Sequence, residues 1–276
     1  MIDVETWRAL TRSSPWLWSS VRLTRTMVGG DDDAQVRAWI RRPGLMRVEQ
    51  PGHEPYFVDE TSEVGRGRGY ITVVEESGPR RAVNRLLGRN PKQPPQPVFR
   101  TPRDPLAPQP DWRPDGLVAR RPDDFTVVFD DPMYENYVWV AMLDPVELAD
   151  GMEPDGPVET GAEQPAGVDI LDLAETQRRG RPTLVATVRS ARTYNPRCTC
   201  CALLFSDVTI ALLREEGGPL PEPLPAPADA HRVMVDRTTG ICVSLRDIGG
   251  DHDGAGFDVD IEEVDVDYPD LMFRRR

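Results

Sequence analysis

Residues 231–268 read HRVMVDRTTGICVSLRDIGGDHDGAGFDVDIEEVDVDY, and this stretch decides the fold class. Apolar residues recur at every second position on both sides of two turns, the period of strands with one buried face. The first run, 231–237, ends in Thr238-Thr239-Gly240, a tight loop with Gly at the left-handed position. The return run, 241–247, puts Ile241, Val243 and Leu245 on one face. A longer Gly/Asp turn spans 249–256. Beyond it, Phe257, Val259 and Ile261 share one parity, whereas Val264, Val266 and Tyr268 share the other. The phase slips at Glu262-Glu263, as a β-bulge requires. Three antiparallel strands are predicted, with Asp and Glu alternating on a wet face.

The same reading extends to the N-terminal third. Asp3 is placed to cap a short helix that carries Trp7 and Leu10 on one face. Residues 19–28 and 34–40 alternate, with Val21, Leu23 and Met27 on one face of the first run. In the second, Val36, Ala38 and Ile40 oppose Gln35, Arg37 and Trp39. Arg42-Pro43-Gly44-Leu45 predicts a type II turn into a return strand over 45–50. Further strands are expected at 56–59 and 70–74, and a basic helix at 79–87. In the middle of the chain, 125–129 and 184–188 are strand-like. Residues 134–143 (YENYVWVAML), between Asp-Pro pairs, fit a helix, with a second short helix from Asp144-Pro145 through Ala149. Periodicity leaves 202–213 as either helix or strand.

The chain has 28 Pro and 22 Gly among 276 residues, about half as many again as average usage. Proline concentrates at 88–115, 150–167 and 217–227, where neither a helix nor a central strand can continue. We read 1–276 as a single domain with these as long loops. The net charge of −13 argues against a general nucleic-acid binder. Residues 1–121 carry a net positive charge and 122–276 a strong negative one, an asymmetry suited to steering a partner or to solvated faces. No run of about 18 uncharged apolar residues occurs, so no transmembrane segment is expected. The N-terminus shows neither a signal-peptide pattern nor a lipobox, and a cytoplasmic location is the expectation.

Two stretches, 38–49 (AWIRRPGLMRVE) followed by Tyr56-Phe57-Val58-Asp59, and 235–273 from VDRTTGICV to LMF, resemble the LolA-like/RseB-like lipoprotein-carrier superfamily. Within it the chain resembles an actinobacterial group. The resemblance covers under half of the chain and uses motifs common to antiparallel hairpins. It implies an α+β fold in which an antiparallel sheet curves into a half-barrel around helices, with an apolar concave face. Such a face holds acyl chains in the family, each buried methylene contributing about 0.8 kcal/mol. The missing export signal and the Pro-rich insertions depart from the carriers.

The function expected on these grounds is non-catalytic binding of a lipid-like apolar molecule or a partner's apolar segment. Met27, Trp39, Phe57 and Trp139 are the candidate lining residues, chosen by strand parity and bulk. The alternative is a metal- or redox-sensing regulator. Tyr194-Asn-Pro-Arg-Cys-Thr-Cys-Cys201 brings Cys198, Cys200 and Cys201 together at C-x-C and C-x-x-C spacings. Thiolates so spaced suit Zn²⁺, which takes four ligands, with Cys242, His231 or His252 as the fourth. They also suit reversible disulfide chemistry, with Arg197 favouring a thiolate. Inert structural cysteines are the plain reading, and no resident cofactor is expected. Asp251, His252 and Asp253 lack a calcium-loop pattern and read as a hairpin turn. Gly65-Arg-Gly-Arg-Gly69 reads as a loop. With no G-x-S-x-G, H-E-x-x-H or P-loop and only three His, no enzymatic activity is expected.

Overall fold

The computed structural model describes residues 2–29, 35–60, 108–122, 131–153 and 164–275. The strands expected at 70–74 and 125–129, the helix at 79–87, the 65–69 loop and much of the first two Pro-rich stretches lie outside these residues.

The chain is α+β, built on one large antiparallel sheet with few helices. Helix α1 (Val4–Leu17) opens it, and the Asp3 carboxylate accepts the Thr6 N–H at 2.7 Å as its cap. Strands β1 (Ser20–Val28), β2 (Gln35–Arg41), β3 (Leu45–Glu49) and β4 (Tyr56–Asp59) follow as a meander. A small ribbon, β5 (Asp111–Trp112) and β6 (Val118–Arg120), packs by α1. After α2 (Val138–Leu143) come β7 (Val168–Arg178) and β8 (Arg181–Ser190). Helix α3 (Asp207–Glu215) then precedes β9 (Ala230–Asp236), β10 (Cys242–Ile248) and β11 (Gly256–Val264). Among the described residues, the sheet order is β4-β3-β2-β1-β11-β10-β9-β8-β7, and its two end strands do not pair to close it. The first and last strands meet at its centre, joining two sequential meanders.

The bulge predicted at Glu262-Glu263 is present. Arg22 pairs with Glu263 and Leu23 with Ile261, so Glu262 is the extra residue. The wet face of this region is a charge lattice. Arg22 bonds Glu262 at 2.8 Å, Arg246 bonds Asp258 at 2.6 Å and Arg179 bonds Asp260 at 3.1 Å. On the opposite face Val21, Leu23, Ala38, Ile40, Met46 and Val48 are buried with Val233, Val235 and Phe257. Helices α1 and α2 cover this face and contribute Trp7, Leu10, Trp139, Met142 and Leu143. Ser14 Oγ bonds the Leu143 carbonyl and accepts the Trp18 indole N–H, which locks the two helices together. Gly240, at φ +70°, lets the β9–β10 turn approach α1, since a Cβ there would crowd the Leu10 carbonyl and Ser14.

Three sequence expectations change. The helix read over 134–143 is confined to Val138–Leu143. Glu135 adopts φ +62° and the Asn136 carboxamide accepts the Val138 N–H, so 134–137 is a turn. The ambiguous 202–213 resolves into α3, because Ser206 and Thr209 form a reciprocal capping box. Strand β7 has no counterpart in the sequence reading. It is an edge strand with Asp169, Leu171, Asp172 and Glu175 exposed, and it lacks a clean alternation. The 42–45 reversal is present, through a cis Arg42–Pro43 bond.

Candidate metal centre

The short connection after α2 organises the region around the cysteines. Its 3₁₀ turn, Val146–Leu148, buries Glu147 almost completely. The Glu147 carboxylate accepts the Tyr194 hydroxyl at 2.5 Å, the Arg197 N–H at 3.2 Å and the Leu203 N–H at 3.1 Å. The Tyr194 oxygen in turn accepts the Leu204 N–H at 3.1 Å. Both ends of the 194–204 loop are therefore tied to one side chain. Burial pushes the Glu147 carboxyl up against the pull of these donors. Burial and the adjacent carboxylate raise the Tyr194 phenol well above its ordinary range. Gly167 closes the other side, since a Cβ there would overlap the Glu147 carbonyl.

Three residues earlier, Asp144 is fully buried and accepts the Arg121 and Arg197 guanidinium groups. Burial alone would raise its carboxyl, but the two cations outweigh burial and hold it below the usual range. This corrects the expected role of Arg197. Its guanidinium turns inward to Asp144, because a buried carboxylate requires cationic partners.

The turn between these anchors, Thr199–Cys201, is a single 3₁₀ turn. The Thr199 hydroxyl donates to Glu216 at 2.5 Å, fixing the turn to the end of α3. Cys198 Sγ lies 2.9 Å from Cys200 Sγ, and Cys200 Sγ lies 3.9 Å from Cys201 Sγ. All three sulfurs fall within 4.8 Å of one another. Cys200 is exposed and the other two are half-buried. Partial burial alone would raise the Cys198 thiol; hydrogen bonds from its two neighbours outweigh this and lower it. Cys200 is raised by its contact with Cys198, and burial pushes Cys201 up to about 12.

The fourth-ligand candidates do not join the group. Cys242 is buried in the core, its thiol against the Ser244 carbonyl at 3.6 Å. His231 is buried with Nδ1 on Asp247 at 2.9 Å. The turn holding His252 is ordered by its own acids: Asp251 accepts the Ala226 N–H and Asp253 the Gly249 N–H.

The four residues expected to line one apolar surface are divided between the two faces of the sheet. Met27 and Trp139 lie on the core face, where Trp139 is wholly buried and packs near the Arg25 guanidinium. Trp39 and Phe57 lie on the other face, flanking the Arg47 guanidinium at 5.5 and 5.7 Å. Phe57 also borders an open cleft of about 840 Å³ with Arg47, Leu271, Met272, Arg274 and Arg275.

No family model, curated protein or solved structure matches the chain. Among the described residues, no helix is long and apolar enough to cross a membrane. Sequence reasoning found the three cysteines. It gave no site role to Glu147, Asp144 or Tyr194, whose importance comes from burial and from partners about 50 residues away.

Proposed function

We propose that this protein is a non-catalytic, metal-sensing protein that takes a soft metal ion on the 198–201 turn. The observation that carries the reading is the convergence of three sulfurs within 4.8 Å, on a turn held at both ends by Glu147. Thiolates select Zn²⁺, Cu(I) and similar ions over hard cations. A loop fixed before binding loses little conformational entropy on taking the ion. The test uses reduced, metal-free protein titrated with Cd²⁺, followed by the ultraviolet sulfur-to-cadmium charge-transfer band. The band should saturate at one ion per chain and vanish in the C198S/C200S double variant. It should persist in Cys242→Ala. A wild-type protein without the band overturns the reading.

A second reading keeps the expected apolar-ligand role of a LolA-like half-barrel and rests on the cleft beside Phe57. Its volume is in the range of small-molecule sites, and it pairs apolar Leu271 and Met272 with Arg47, Arg274 and Arg275. Glu54 also lines the cleft and Arg47 is paired to Glu49, but the arginines outnumber the acid on the lining, which suits an apolar molecule with an acidic head. Native mass spectrometry of protein purified without detergent should then show a bound lipid that Phe57→Asp removes. Ligand-free spectra, with no uptake of a fluorescent fatty acid, would remove this reading.

A further inference from the structure

We propose that the ion taken by Cys198, Cys200 and Cys201 is monovalent copper, held by three sulfurs alone, in preference to Zn²⁺. This rests on the metal-binding reading above and adds the identity of the ion.

The first observation is the donor set. All four Cys and all three His of the chain are among the described residues, and only these three cysteines come together. Among the described residues, the carboxylates that reach this loop already hold donors: Glu216 accepts the Thr199 hydroxyl, and Glu147 accepts three donors within the core. No second nitrogen or sulfur ligand segment faces the turn. The second observation is the placement of the donors. They come from the N-cap, Cys198, and two positions, Cys200 and Cys201, of one 3₁₀ turn, so they approach an ion from one side.

Zn²⁺ in a structural protein site is almost always four-coordinate and tetrahedral, with its coordination closed by protein ligands. Zinc ribbons achieve this with two separate chain segments. Three sulfurs from one turn leave a divalent ion short of a ligand and open to water. Cu(I) is softer and carries half the charge. It has a filled d shell, loses its weak hydration readily and is satisfied by two or three sulfurs. Soft thiolates select it for the same reason. Binding exchanges protons for the ion: each sulfur that coordinates as thiolate releases one proton, and copper stays in the +1 state throughout. The exposed Cys200 gives the ion an entry route from solvent.

The test is a two-metal competition under anaerobic, reducing conditions. Metal-free protein is offered Cu(I) as its bicinchoninate complex and, separately, Zn²⁺ in a chromophoric zinc chelator. One Cu(I) per chain should be withdrawn, with no withdrawal of Zn²⁺, and Cys200→Ser should lose the copper uptake. Cys242→Ala should keep it, a control for loss of folding. Withdrawal of Zn²⁺ at one per chain, or of several Cu(I) per chain, overturns the inference while leaving metal binding intact. Withdrawal of neither ion overturns the inference, and the metal-binding reading falls with it only if the cadmium band is also absent.

Discussion

The Glu147 carboxylate and the Tyr194 hydroxyl form a 2.5 Å hydrogen bond in the core, bridging 47 residues of sequence. It sets the position of the cysteine turn. Glu147→Ala would strand two buried donors, the Tyr194 hydroxyl and the Leu203 N–H, each unsatisfied buried group costing about 1–3 kcal/mol, and would release the part-buried Arg197 N–H. We expect a net loss of roughly 2–4 kcal/mol in urea unfolding, with weaker Cd²⁺ binding although no sulfur is removed. Unchanged metal affinity would show that the turn holds its shape without Glu147.

Asp144 and Glu147, both buried beside the cysteine loop, should shape the pH dependence in opposite ways. Asp144 is held below its ordinary 3.8, so its contribution is present above that value and is lost as pH falls through the lowered folded value. Glu147 is raised above its ordinary 4.5, so its contribution is fullest below 4.5 and declines as pH rises through the raised folded value. Asp144→Asn should therefore cost about 3–5 kcal/mol near neutral pH and progressively less in acid. Glu147→Gln should remove the decline above 4.5. Unfolding free energies measured from acid to neutral pH would separate the two, and parallel curves for both variants would contradict this account.

Thiol reactivity should follow burial. Cys200 is exposed, whereas burial pushes the Cys242 thiol up to about 12. A disulfide reagent should label the accessible 198–201 cysteines, where Cys198 is the thiol held low and Cys200 the most exposed, promptly in native protein, and Cys242 only after denaturation. Peptide mass mapping identifies the order of labelling. Fast labelling of Cys242 would place it outside the core.

Two tryptophans should behave differently because they lie on opposite faces. Trp139 is wholly buried, and Trp139→Ala should cost about 3–5 kcal/mol. Trp39 is part-exposed beside Arg47, and Trp39→Ala should cost roughly 1 kcal/mol or less. Chemical denaturation of the two variants compares them directly. Equal losses would mean that Trp39 packs against a surface of its own.

Several elements were legible in the residues because their signals are local. The 231–264 meander, its Gly240 turn and the slip at Glu262-Glu263 follow from a period-two pattern that needs no distant partner. The Asp3 cap and the cysteine spacing are equally local. Strand β7 was hidden because an edge strand exposed on much of its length has no buried face to impose alternation. Parity separated the two faces within each strand, but it could not show that Met27 and Trp39 lie on opposite sides of one sheet.

What the amino-acid sequence determined by itself is the antiparallel class of the C-terminal region and the presence of three thiols within one turn. Both depend on residues only a few positions apart. Tertiary structure alone decided that β1 and β11 meet at the centre of the sheet. It also decided that Arg197 serves Asp144 and that Glu147 fixes the cysteine turn. The physical reason is the same in each case. The partners are distant along the chain, and burial brings them together and makes each hydrogen bond necessary.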